Sequence, residues 1–305
     1  MIDVTGLPVW GGLPAATPAL AVVVVAGIPY DRSAVYRGGA DEAPTAIRRL
    51  SAVMPPLDER GRLLSDLTLH DLGDLDLGVS VEHGWPAAAE RLAAVAPGAF
   101  LTVVGGDHCS AIPVLVAQAR RHPGLAVLWV DAHPDLCDVS RGGRWTVGCA
   151  LRRAIELAGL DPRSIVQVGC RDFDAEEVVY AREQGVAQVT AAELAAEPAA
   201  AVARVARIVQ GRRLHVSFDI DVLDPAFAPG TEVPSAGGLT TREALQLLRD
   251  ATRLSRPVGL DVCEVAPPLD HAGVTSMAAL KVIFEAWSRL PRPLRYLDGD
   301  RDVPH

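Results

Sequence analysis

Seven apolar runs of six or seven residues punctuate this chain, near 21–27, 67–72, 100–105, 125–131, 164–169, 214–219 and 258–263. Their length and apolar character predict buried strands. Between them lie Ala/Leu/Arg-rich stretches that predict helices near 43–53, 86–96, 110–121, 148–158, 174–184, 199–209, 241–253 and 275–289. Thr240 and Glu243 offer a capping box for one of these, and Pro86 suits the first turn of another. Strands alternating with helices describe βαβ units, hence a mainly parallel sheet covered on both faces. The expected fold is a single three-layer α/β/α domain over 1–305. In such sheets ligands collect beyond the carboxyl ends of the strands.

Composition narrows the picture only slightly. The chain has 305 residues, 49% hydrophobic and 22% charged, as in an ordinary globular protein. A net charge of −9 and the lack of any Lys/Arg-rich block exclude nucleic acid as an expected partner. The apolar stretch Ala19–Ile28 has no basic residue before it and is too short to span a bilayer, so it reads as the first strand and not a signal peptide or membrane anchor. Five cysteines with no Cys-x-x-Cys spacing fit a reducing cytoplasm better than a disulfide framework.

The chemistry is concentrated where three strands end. Asp131-Ala132-His133-Pro134-Asp135 follows the fourth apolar run, Asp219-Ile220-Asp221 closes the sixth, and Gly105-Gly106-Asp107-His108 closes the third. In extended backbone, residues two apart share a side, so Asp131, His133 and Asp135 would converge. One such triplet also suits helix caps and turns. Three sets of Asp and His at strand ends instead suggest a divalent metal such as Mn²⁺ or Zn²⁺.

Together these three segments resemble the signatures of the ureohydrolase family, which comprises arginase, agmatinase, guanidinobutyrase and formimidoylglutamase. Gly27-Ile28-Pro29-Tyr30-Asp31, Arg37-Gly38-Gly39-Ala40 and Pro44-Thr45-Ala46-Ile47-Arg48 are similar to its N-terminal segment. Pro229-Gly230-Thr231 with Gly237-Gly238-Leu239-Thr240 resembles the loop after the last metal-binding strand, and Glu264 to Gly273 looks like the agmatinase branch. The resemblance implies an arginase-like fold and two Mn²⁺ per subunit. His108, Asp131, Asp135 and Asp219 would hold one ion; His133, Asp131, Asp219 and Asp221 would hold the other, with Asp131 and Asp219 bridging. It further implies cleavage of a guanidino C–N bond by metal-bound hydroxide, with Glu264 and Asp135 as catalytic residues and Glu264 facing the planar cation. The products would be urea and an amine, and the enzyme a cytoplasmic homo-oligomer, a trimer or hexamer.

Two departures bear on the substrate. Val147 precedes Gly148 where arginases and agmatinases carry a His thought to relay protons to the leaving amine, and valine has no proton to give. Neighbouring Trp145 reads equally as part of a more apolar pocket wall or as a rim or core aromatic. Glu232 and Val233 replace small residues, so Glu232 either selects a cationic tail or points to solvent. A formimino or modified guanidino substrate, or a family member that binds metal without catalysis, are the alternatives. Asp107 reads as structural or as a support behind the site, His271 as such a support, and His70, His83, His122 and His215 as surface or packed residues. Tail contacts are expected from loops near 31–42, 138–148 and 231–236.

Overall fold

The computed structural model describes residues 6–290. It is built around one sheet of eight strands: β1 (Val23–Ile28), β2 (Leu69–Asp74), β3 (Phe100–Gly105), β4 (Ala126–Val130), β5 (Ile165–Val168), β6 (Ala187–Val189), β7 (Arg213–Asp219) and β8 (Arg256–Cys263). Their order is β2-β1-β3-β8-β7-β4-β5-β6, and every pairing is parallel. Helices α1 (Ala43–Ser51), α2 (Val81–Ala93), α3 (Ala111–Arg121), α4 (Ala150–Ala158), α5 (Ala175–Gln184), α6 (Ala191–Ala196), α7 (Pro198–Val209), α8 (Thr241–Leu254) and α9 (Val274–Trp287) cover it. The expected 1–305 span is described only over this range; its two ends lie outside the described residues.

Strand alternation divides the interior into two cores. In β4, Ala126, Leu128 and Val130 face the core shared with α1 and α6 to α9, while Val127 and Trp129 face the core shared with α2 to α5. Because both faces are covered, the strands are apolar throughout, which is why they read as continuous runs. The two central strands break this rule on one face only. Leu214, Val216, Phe218, Leu260 and Val262 enter the first core, whereas the alternate positions His215, Ser217, Asp219 and Asp261 are polar and buried.

Several boundaries differ from expectation. Helix α2 begins at Val81, so Pro86 lies inside it and not in its first turn. Strand β6 and helix α6 are additional: three residues at the sheet edge and six before the break at Glu197 leave too short a pattern to read. The capping box of α8 forms as expected, with the Thr240 amide donating to Glu243 Oε2 at 2.8 Å. No helix among the described residues is long and apolar enough to cross a membrane. All five cysteines are free and buried.

Candidate active site

The parallel sheet brings the carboxyl ends of β3, β4, β7 and β8 to one place, and the acidic and imidazole groups converge there. Glycines make the approach possible: a Cβ on Gly106 would lie 2.0 Å from the Tyr30 carbonyl oxygen. The following Asp107 is fully buried and structural, accepting from the Ser33 and Cys109 amides. It thereby starts the single turn that carries His108.

The spacing of the Asp residues has a local cause. Asp131 Oδ1 accepts from the amide of His133 at 2.7 Å, and Asp219 Oδ1 from the amide of Asp221 at 2.7 Å. Each carboxylate therefore closes a turn two residues on while its Oδ2 faces His108 Nδ1. The Ala132 amide fixes Asp221 in the same way. Residues 131–135 lie beyond the end of β4, and Asp135 has φ +54°, so a turn and not strand alternation makes the triplet converge.

His108 Nδ1 sits at the middle of one cluster, 3.0 Å from Asp131 Oδ2, 3.1 Å from Asp219 Oδ2 and 3.4 Å from Asp135 Oδ2, without a hydrogen-bond partner of its own. His133 Nδ1 forms the second, 3.0 Å from Asp221 Oδ2 and 3.6 Å from Asp131 Oδ1. Asp131 belongs to both clusters; Asp219 groups with His108 and Asp131. Burial works to strip the proton from His133, but Asp221 and Asp131 hold it well above the usual imidazole range. Four buried aspartates thus demand positive charge at this point.

Behind the clusters runs a chain of buried hydrogen bonds absent from the sequence reading. His108 Nε2 lies 2.9 Å from Ser217 Oγ, Ser217 donates to Asp261 Oδ2 at 2.6 Å, and Asp261 Oδ1 meets His215 Nε2 at 3.1 Å. Gln118 of α3 then donates to His215 Nδ1. Since the single Ser217 proton goes to Asp261, His108 Nε2 is the donor to Ser217. That leaves Nδ1 as the atom that would offer a lone pair to a cation held in the cluster. Trp129 adds to this, stacking on His108 at 3.9 Å and donating to Asp131 Oδ2 at 2.8 Å.

Glu264 follows β8 in a left-handed conformation, φ +65°. Its Oε1 accepts from the His108 amide at 2.7 Å, while the buried Oε2 has no partner. Burial pushes its carboxyl well above the usual range, reinforced by Asp219 and Glu232. Glu232 itself is 1% exposed, so it does not point to solvent, and it does not line the pocket. Burial pushes it up to about 7, against a hydrogen bond from the Ala40 amide.

Above these groups opens a pocket of about 240 Å³. Each loop expected to contact a substrate tail contributes, through Val35, through Ser140, Arg141 and Val147, and through Val233. The segment from Asp172 to Glu177 completes the wall and was not anticipated. Trp145 is not part of the wall; it packs against the core. His271 is exposed and supports nothing behind the site.

A parallel α/β sheet with a pocket floored by clustered Asp and His at its strand ends has the layout of an α/β enzyme with a site suited to divalent cations. Residues 21–288 match the sequence profile of the Arginase family, and the chain belongs to that family. It is 40% identical over 270 residues to proclavaminate amidinohydrolase of Streptomyces clavuligerus, covering 85% of both chains. It is 38% identical over 294 residues to guanidinopropionase of Pseudomonas aeruginosa, covering 92% of this chain and 90% of the other. The solved structure of the S. clavuligerus proclavaminate amidinohydrolase superimposes with a TM-score of 0.83 at 36% identity, over 95% of this chain and 98% of that one. The protein is therefore a hydrolase of guanidino and amidino C–N bonds.

Proposed function

We propose that this enzyme hydrolyses a small guanidino compound to urea and an amine, using two Mn²⁺ held at the floor of the pocket. The observation that carries this reading is the pair of donor clusters sharing Asp131, with the unpartnered oxygen of Glu264 beside them. The donors fit: carboxylate oxygens with imidazole nitrogens suit Mn²⁺, and the buried His108 Nδ1 has no other partner. His108, Asp131, Asp135 and Asp219 would hold one ion, and His133, Asp131, Asp219 and Asp221 the other. When bound, such a pair makes water nucleophilic near neutral pH and offsets four negative charges.

The remaining steps belong to the chain's own groups. Glu264 Oε2 accepts from the guanidinium, orienting its plane over the floor by a charge-assisted hydrogen bond. The water oxygen bonds to the guanidinium carbon, and the bond from that carbon to the alkylated nitrogen breaks. Asp135 Oδ2 takes the proton released by the attacking water and returns it to the departing nitrogen, which leaves as an amine while urea remains. Val147 cannot share this duty. That substitution favours a second reading, a formimino substrate whose leaving group needs less help, with ammonia or formamide as a product instead of urea.

Relatives of comparable similarity carry names that cover guanidino acids and agmatine alike. The test is a screen of the Mn²⁺-loaded protein against agmatine, arginine, 3-guanidinopropionate, 4-guanidinobutyrate and formiminoglutamate. Urea from a guanidino compound with two Mn²⁺ per chain is the expected result. Two bound ions with no turnover of any of them would overturn it. The free, buried cysteines support a reducing cytoplasmic setting. A homo-oligomer is expected from relationship, with light scattering as the check.

A further inference from the structure

Among the residues lining the pocket, Arg141 is the one that carries a permanent positive charge. It sits in a two-residue turn closed from both sides, with the Ser140 amide donating to the Gly143 carbonyl at 2.9 Å and the reverse bond at 3.0 Å. Both central residues are left-handed, Arg141 at φ +52° and Gly142 at φ +80°. This geometry favours Asn, Asp or Gly at the first central position, so an arginine there is held in a conformation that costs stability. The side chain is exposed and makes no hydrogen bond or ion pair with any described residue.

The acidic groups nearby are already engaged. Asp172 lies 3.9 Å from His133 Nε2, and Asp174 caps α5 and accepts from Cys137 Sγ. Asp174 and Glu176 share a shallow groove with Arg141, yet neither pairs with it. A strained backbone thus presents an unpaired guanidinium to the same pocket whose floor holds Glu264, and the opposite charges at floor and rim match the two ends of a zwitterion.

Resting on the hydrolase reading, we infer that the substrate is a guanidino acid. Its guanidinium lies against Glu264 and its carboxylate pairs with Arg141. Arg141 is a specificity residue that acts on binding of the tail and not on the bond-breaking step. A diamine-derived guanidine such as agmatine would meet like charge at the rim, and a neutral alkylguanidine would gain nothing there.

The test uses Mn²⁺-loaded enzyme with 3-guanidinopropionate, 4-guanidinobutyrate, agmatine and butylguanidine, together with calorimetric titration of each acid. The wild type is expected to prefer the acids. Arg141→Gln should raise KM and the calorimetric Kd for them by roughly tenfold or more, with kcat little changed, because one charge-assisted hydrogen bond is lost. Arg141→Glu should shift preference toward agmatine. Arg141→Gly relieves the strained turn, so it should melt at a higher temperature than wild type while losing the acid preference, which separates lost recognition from lost folding. Urea release that favours agmatine or butylguanidine in the wild type, or acid KM values unchanged in all three variants, overturns the assignment while leaving the hydrolase reading intact. No urea from any of the four, with arginine and formiminoglutamate also inert, overturns both.

Discussion

Replacing Ser217 by alanine tests the buried chain behind His108. Two hydrogen bonds vanish together, the one to Asp261 at 2.6 Å and the one from His108 at 2.9 Å. The first involves a carboxylate and is worth about 1.5–3 kcal/mol, the second about 1 kcal/mol, so a loss of about 2.5–4 kcal/mol is expected. At about 2 °C per kcal/mol for a chain of this size, Tm should fall by roughly 5–8 °C. The larger signal is in metal binding. Without an acceptor on Nε2, His108 is free to place its proton on Nδ1, the atom that faces Asp131, Asp135 and Asp219. Loss of such an outer partner typically weakens metal affinity about 10–100-fold. Calorimetric titration of the metal-free protein with Mn²⁺, with circular dichroism confirming a folded chain, measures this. Ser217→Thr keeps the hydroxyl and should retain most of the affinity. A folded Ser217→Ala protein binding both ions within twofold of wild type would refute the assigned role.

Asp131→Asn removes the carboxylate common to both clusters, and should abolish activity and the rise in Tm that Mn²⁺ confers; retained turnover would remove Asp131 from the centre. Val147→His should raise agmatine hydrolysis relative to wild type if a missing proton relay limits that reaction, and an unchanged kcat would show that it does not. His122 gives a pH signature away from the site. Burial, with Arg121 and Arg213 adding to it, lowers its pKa from 6.5 to about 4, and its Nε2 is buried without a partner. The unfolded chain therefore binds this proton first, so stability is full above about pH 6.5 and falls between there and about pH 4. His122→Gln should flatten this part of the urea-denaturation profile by about 1–3 kcal/mol; an unaltered profile would mean that His122 charges freely in the fold.

The strands were readable because a strand buried on both faces is a short apolar run between turn residues, and β3 matches its expected 100–105 bounds. The clustered residues were readable because each group is contiguous at a strand end. What lay hidden depends on which strands are neighbours. Ser217 and Asp261 are 44 residues apart and His108 and Ser217 are 109 apart, and only the β3-β8-β7 order brings them together. The buried polar positions His215 and Asp261, each inside an apolar run, were the available signal. Arg141 gave none, because its meaning lies in a turn conformation and an unpaired charge. Trp145 stayed open between wall and core because aromatic character says nothing about which side of a loop faces the pocket, and it packs against the core.

Strand β8 is the last strand described along the chain, yet it lies in the middle of the sheet, between β3 and β7. During synthesis, β2-β1-β3 and β7-β4-β5-β6 can each assemble early, but each then shows an open edge until residues 256–263 arrive. Open edges of this kind invite pairing with other chains, and such long-range closure is slow. The nascent protein thus has a built-in period of vulnerability in which chaperones have most to offer. The same order also delays chemistry. His108 sits on one half-sheet, the four aspartates on the other, and Glu264 on the strand that joins them, so a truncated chain owns the ingredients of the site without the site itself.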